Sequence, residues 1–375
     1  MLAGAGLCIV PAAVSLKAHA ETILKPSSSR SNPATPSHPS NPSLLVPLVP
    51  LVPLVQKPSK NAPESLLKNE TPPVNVKDEN IVVALDWVPN TNHTGLYVAN
   101  EKKWYAAQHL VPILLQPSQT TATKLVGAGK AEFGVSFTND VARARARGIP
   151  VVAIAAIIQN NTSCFAWRKN MNIKSLRDFE GKRYGGWGSP EEELTLSYLM
   201  KKQGADFKKV KVVTTGVSDF VATTPRNADF MWIYMGWDGI RAKLEGIDLG
   251  TVCPKDLDPV FNTASPLIVT SEKLIQEKPE LIKRFLAATA QGYEWAVSNP
   301  DDASAAFLKQ VPELDKKLVQ ASAQYLAGEY KKGVPHWGVQ NEKSWARYLD
   351  WAKSIELVPK IEPASHYFDN RFLPQ

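Results

Sequence analysis

Proline returns at every third position through LLVPLVPLVPLVQ (Leu44–Gln56), and that period removes most structural options for the residues around it. Each proline fixes φ and lacks an amide donor, so neither an α-helix nor a central strand can run through the segment. Polyproline II has the same three-residue period and would set these prolines along one edge. Twelve of the 29 prolines fall between Pro26 and Pro73, whereas all 10 tryptophans follow residue 80. Residues 21–80 are therefore expected to be a Pro/Ser/Asn-rich disordered linker, with the folded body beginning at residue 81. A ligand for a partner's groove is the alternative use of the repeat. Ahead of it, Leu2 to Leu16 are apolar and small, and Ala18-His19-Ala20 suits signal peptidase. Residues 1–20 thus read as a signal peptide, although Lys17 is the first basic residue. Leu7 is bulky for a lipobox before Cys8, so a lipid anchor there is the lesser alternative. The expected location is exported: periplasmic or cell-surface associated.

Of the 375 residues, 44% are hydrophobic and 21% charged, a composition that supports a sizeable core. No apolar run reaches the ~18–20 residues of a membrane span, which excludes a polytopic membrane protein. The net charge is +7, of which the body carries +5. That is no nucleic-acid footprint, and no aromatic residues interleave with Arg143, Arg145 and Arg147 in ARARARG. Those arginines read as a solvated helix face. Three cysteines are too few for a disulfide scaffold, and without a CxxC pair a cysteine-held metal is not expected. Cys164 and Cys253 are expected as buried free thiols, with pairing the alternative in an oxidising compartment.

From residue 81 the chain alternates. IVVALDW (Ile81 to Trp87) reads as a buried strand, because β-branched residues run together and stop at Val88-Pro89-Asn90. A helix over Thr94 to Lys103, a strand over Val111 to Pro117 and a helix over Thr120 to Gly129 follow. Next come a strand over Ala131 to Phe137, a helix over Asp140 to Arg147 and a strand over Pro150 to Ile158. A second unit runs from a strand at Cys164 to Arg168, through a short helix and strand within Ser175 to Gly188, to a helix over Pro190 to Lys202. Strands near Val210 to Thr214 and Ala228 to Tyr234 complete it. Pro266 to Thr270 is expected to return to the first unit, followed by helices over Glu280 to Ser298, Pro300 to Lys309, Lys316 to Leu326 and Lys343 to Ile355. This spacing predicts an α/β chain of two lobes joined by two crossing strands. Lobe 1 is expected over 81–165 and 266–375, lobe 2 over 166–265, with a ligand cleft between them.

LDWVPNTNHTGLYVA (Leu85 to Ala99) closely resembles the opening of the THI5/NMT1-like solute-binding proteins. GKAEFGVSF (Gly129 to Phe137), ARGIPVVAIAA (Ala146 to Ala156), SLRDFEGKRYGGWGSPEEE (Ser175 to Glu193) and DFMWIYMGWDGI (Asp229 to Ile240) continue the likeness in family order. It covers nearly all of 81–375 and none of 1–80. The resemblance implies a periplasmic-binding-protein-like fold of type II and the solute-binding component of an ABC importer, with permease and ATPase subunits as partners. It further implies a formylaminopyrimidine-type thiamin precursor as ligand, or riboflavin or another small heteroaromatic solute as the alternative. No cofactor, metal or catalytic residue is implied.

Ligands of open α/β sheets bind beyond the carboxyl ends of strands. A flat heteroaromatic ring needs a stacking face and in-plane hydrogen-bond partners. Trp87 offers the face, and Asp86 or Asn92 can meet ring nitrogens or an amino group. The structural alternative makes Trp87 core, Asn92 a helix cap and His93 a packed turn residue. In GWGSPEEE, Ser189, Pro190 and Glu192 form a capping box after the flexible Gly188. The resemblance assigns a glutamate here to the ligand's exocyclic amine, Glu192 first and Glu193 next, with Trp187 over the ring or packed beneath the lobe. Tyr234 and Trp237 are expected in the cleft, Trp232 in a structural role, Asn139 as the contact from the third strand, and His336-Trp337 as surface packing.

Pyrimidine synthases of the same fold use pyridoxal phosphate, a lysine, a histidine and iron with a cysteine-rich run. GVSFTND (Gly134 to Asp140) lacks the lysine and histidine, and FNTASPL (Phe261 to Leu267) lacks cysteine. Pyridoxal chemistry needs an amine nucleophile, so a binding protein without enzyme activity is expected.

Overall fold

The computed structural model describes residues 77–116, 120–216 and 218–374. The expected signal peptide, the Leu-Val-Pro repeat and the linker as far as residue 76 lie outside the described residues. Ten strands form two mixed five-stranded sheets among the described residues. The first contains β1 (Glu79–Ala84), β2 (Leu110–Leu115), β3 (Phe133–Ser136), β4 (Val151–Ala156) and β10 (Leu267–Ser271). Its order is β2-β1-β3-β10-β4, with β10 antiparallel to both neighbours. The second sheet contains β5 (Ser163–Arg168), β6 (Arg183–Gly186), β7 (Lys211–Thr214), β8 (Phe230–Tyr234) and β9 (Leu249–Val252). Its order is β7-β6-β8-β5-β9. Residues 157–162 carry the chain from the first sheet to the second, and residues 262–266 bring it back.

The first strand begins at Glu79, inside the segment read as linker, because Glu79 pairs with Leu110 at the start of β2. It stops at Ala84, which leaves Asp86 and Trp87 beyond its carboxyl end. Core strands are apolar on both faces, as buried strands require: all six residues of β4 are buried. Behind β1, the helices Thr94–Glu101 and Pro279–Ser298 cross at a glycine pair. A Cβ on Gly292 would lie 2.0 Å from the Gly95 carbonyl oxygen, so only glycine permits this approach. The closing helix Glu342–Ser354 touches both sheets' neighbourhoods. Trp351 meets Phe261 and Tyr198 edge-on at 4.8 and 5.7 Å, while Trp345 tilts against Tyr367 at 5.9 Å.

Three expectations change. Cys164 and Cys253 are joined by a disulfide, not free; they sit opposite each other where β5 pairs with β9, a neighbour that β-propensity did not reveal. Arg145 is no solvated residue, since its guanidinium is buried against Glu272 at 2.7 Å and Glu362 at 2.8 Å. Trp337 is not surface packing but core: it is 1% exposed, stacks on Tyr293 at 4.4 Å and donates to the Ile157 carbonyl.

Candidate functional site

The carboxyl end of β1 builds the first wall. Asn90, not Asn92, caps the short turn Thr91–His93, its side chain accepting from the Asn92 amide at 2.9 Å. His93 is wholly buried, and its Nε2 lies 2.7 Å from Asp86 Oδ1. The Asn90 amide points at His93 Nδ1 from 3.3 Å. With Nδ1 accepting, Nε2 carries the hydrogen and donates to Asp86. His93 therefore orients the Asp86 carboxylate from behind. The Asn92 carbonyl accepts from the Tyr293 hydroxyl at 2.7 Å, whereas its side-chain amide makes no hydrogen bond among the described residues. Trp87 is 39% exposed, which sets it outside the core.

The second wall rises from β6. Gly188 takes φ +95°, a conformation that favours glycine, and turns the chain into the helix Pro190–Lys202. Ser189 and Glu192 form the expected capping box. Glu192 is 1% exposed, and its two oxygens accept from the Tyr184 hydroxyl and from the amides of Trp187, Gly188 and Ser189. Burial raises its pKa against those hydrogen bonds. This carboxylate holds the GWGS turn in shape and has all its strong acceptor directions engaged. Glu193 is exposed. Trp187 is 41% exposed and packs one side on Trp232 at 5.7 Å.

Glu191 is the carboxylate that reaches across. It accepts from Asn139 Nδ2 at the start of the helix Thr138–Ala146, and from the Tyr348 hydroxyl at 3.2 Å. Burial pushes its pKa up to about 8, and the nearby Asp140 adds to the shift. Beside it, Tyr234 at the end of β8 lies over Phe137 at the end of β3, with centroids 6.2 Å apart and planes within 27°. Burial, then the fields of Asp86, Glu191 and Asp140, hold the Tyr234 hydroxyl well above its ordinary range. The carboxyl ends of both sheets thus meet, with Asp86, Asn139, Asp140, Glu191 and Tyr234 gathered there.

After β8 the chain makes a single π-helical turn, Met235–Gly239. Asp238 accepts from the Tyr234 amide at 3.3 Å, and burial raises its pKa to about 6. The Gly236 carbonyl accepts from Ser322 Oγ, which also meets Thr91 Oγ1. Trp237 packs on the cluster of Tyr97, Phe307, Val311 and Val319. Its indole ties this turn to the helices of the first lobe, a setting unlike the exposed faces of Trp87 and Trp187. Sequence reasoning missed Glu191, Asp140, Phe137 and Tyr348. A usable signal existed for the first: a capping box turns its N3 glutamate back onto the turn, so the preceding glutamate is the one free to face outward.

The chain matches the NMT1/THI5-like family over residues 90–303, and it belongs to that family. It is 28% identical over 299 residues to the formylaminopyrimidine-binding protein of Halalkalibacterium halodurans, covering 78% of this chain and 90% of that one. A 4-amino-5-hydroxymethyl-2-methylpyrimidine phosphate synthase of Legionella pneumophila is 23% identical over 303 residues, with 78% and 92% covered. A riboflavin-binding protein of Chloroflexus aurantiacus is 24% identical over 315 residues, with 79% and 86% covered. In structure, the chain resembles the periplasmic aliphatic sulphonate binding protein of Escherichia coli at TM-score 0.61 and 15% identity, covering 79% of this chain and 94% of that one. The fold is the two-lobed α/β fold of periplasmic binding proteins.

Proposed function

We propose that this chain is the exported solute-binding component of an ABC importer, and that it captures a formylaminopyrimidine-type thiamin precursor for delivery to a permease and its ATPase. The observation that carries this reading is the pairing of an exposed indole with an oriented acceptor at the end of β1. Trp87 and Trp187 are 39% and 41% exposed, and Asp86 beside Trp87 is held by His93. An aminopyrimidine presents a π-face and an exocyclic amine to such a site. The likeness to a formylaminopyrimidine-binding protein supports the choice of ring.

Riboflavin is the second reading, favoured by the riboflavin-binding relative. A synthase reading has the Legionella relative in its favour. Against it stands the absence of lysine and histidine from Gly134 to Asp140. Tryptophan fluorescence titrations with formylaminopyrimidine, riboflavin and pyridoxal phosphate separate the three. Saturable quenching by the pyrimidine alone is expected. Tighter binding of riboflavin, or a borohydride-reducible adduct of pyridoxal phosphate on one lysine, overturns the proposal.

A further inference from the structure

The two crossover segments are tied together, Asn262 Nδ2 donating to Asn160 Oδ1 at 3.0 Å. Beside them lies a cavity of about 490 Å³. Its walls come from the crossovers, from the loop at Lys332 and from the first turns of the helix Glu342–Ser354. None of the residues expected to bind the heteroaromatic solute lines it. The lining holds three cations, Lys332, Lys343 and Arg347, and no carboxylate. Lys332 is paired with Glu329 at 2.8 Å. Lys343 and Arg347 are exposed and form no ion pair or side-chain hydrogen bond among the described residues.

Two further lining residues have unmet polar atoms. Gln159 Nε2 and Asn262 Oδ1, one on each crossover, are buried without a partner. Gln159 Nε2 is a donor, which an oxyanion can satisfy, whereas Asn262 Oδ1 is an acceptor that only a donor group on an occupant satisfies. A concave, carboxylate-free site with uncompensated cations concentrates anions.

We propose that this cavity binds a small solute bearing an oxyanion, phosphate or carboxylate, gripped by Lys343 and Arg347, with the Gln159 amide as a further donor.

The test uses the full chain, with inorganic phosphate as the probe. Calorimetric titration is carried out against chloride of equal ionic strength, for the native chain, for Lys343→Gln/Arg347→Gln and for Trp87→Ala. Saturable phosphate binding is expected in the native chain and in Trp87→Ala. The double variant should bind about tenfold more weakly or worse, since it loses two charge-assisted contacts. Both substituted residues are exposed, so the variant should unfold in chloride at the native midpoint; if it does not, Arg347→Gln alone gives the reading. Absence of binding to the native chain, undiminished binding to the double variant, or loss of binding in Trp87→Ala each overturns the proposal.

Discussion

A buried histidine against a carboxylate has a clear effect here: it fixes where Asp86 points through one oxygen, while the other makes no hydrogen bond among the described residues. Trp87 should then act as a platform. Trp87→Ala should weaken pyrimidine binding by about 1–3 kcal/mol, the scale of base–aromatic stacking; equal affinity in a fluorescence titration removes Trp87 from the site. Glu191 sets a pH dependence. Its value in the folded chain, about 8, lies above its ordinary 4.5. Between these pH values the folded chain keeps a proton that the unfolded chain releases, so stability from this group is full below pH 4.5 and falls as pH rises toward 8. Glu191→Gln mimics the protonated form, accepting from Asn139 and donating to Tyr348. Its melting temperature should vary less than the native chain's over that window, and parallel curves contradict the assignment. The glutamate cluster was legible in the sequence as a cap and as acceptors. The cap was legible as Glu192 from its place three residues after Ser189, but the residue that reaches across, Glu191, was not, because its partners Asn139 and Tyr348 lie 52 and 157 residues away.

At the level of elements, runs of β-branched residues gave away the strands of the first sheet, and the helix Pro190–Lys202 was legible to the residue from its cap. The short strand Leu249–Val252 was not, since LGTV carries little apolar signal and its place depends on pairing with β5. The same missing strand hid the disulfide. Cys164 and Cys253 close 89 residues of chain, so reduction should lower stability by about 2–4 kcal/mol; an unfolding midpoint indifferent to reductant contradicts that bond. The π-helical turn after β8 offers a second test. Ser322 links Thr91 to the Gly236 carbonyl, and Ser322→Ala should cost about 1 kcal/mol or somewhat more, because a buried carbonyl loses its donor. No change in denaturant midpoint shows that the contact adds nothing.

Over the whole molecule, the lobes meet through Asn139 and Glu191, through Phe137 and Tyr234, and through Ser322 and Gly236. A solute held from both sides should favour this closed arrangement over an open one. Small-angle scattering should give a smaller radius of gyration with formylaminopyrimidine than without, and identical curves contradict a clamshell. The lobed plan was legible because two runs of alternating strands and helices follow each other. That the last long helix packs on residues near both sheets was not, since Trp351 and Tyr348 announce burial but not the partner. Capture of an intact pyrimidine without chemistry is decided by mass spectrometry of solute released on denaturing protein purified from cells supplied with formylaminopyrimidine. The expected solute is the unaltered pyrimidine, one per chain. Riboflavin, or a phosphorylated hydroxymethylpyrimidine accumulating with time, contradicts it.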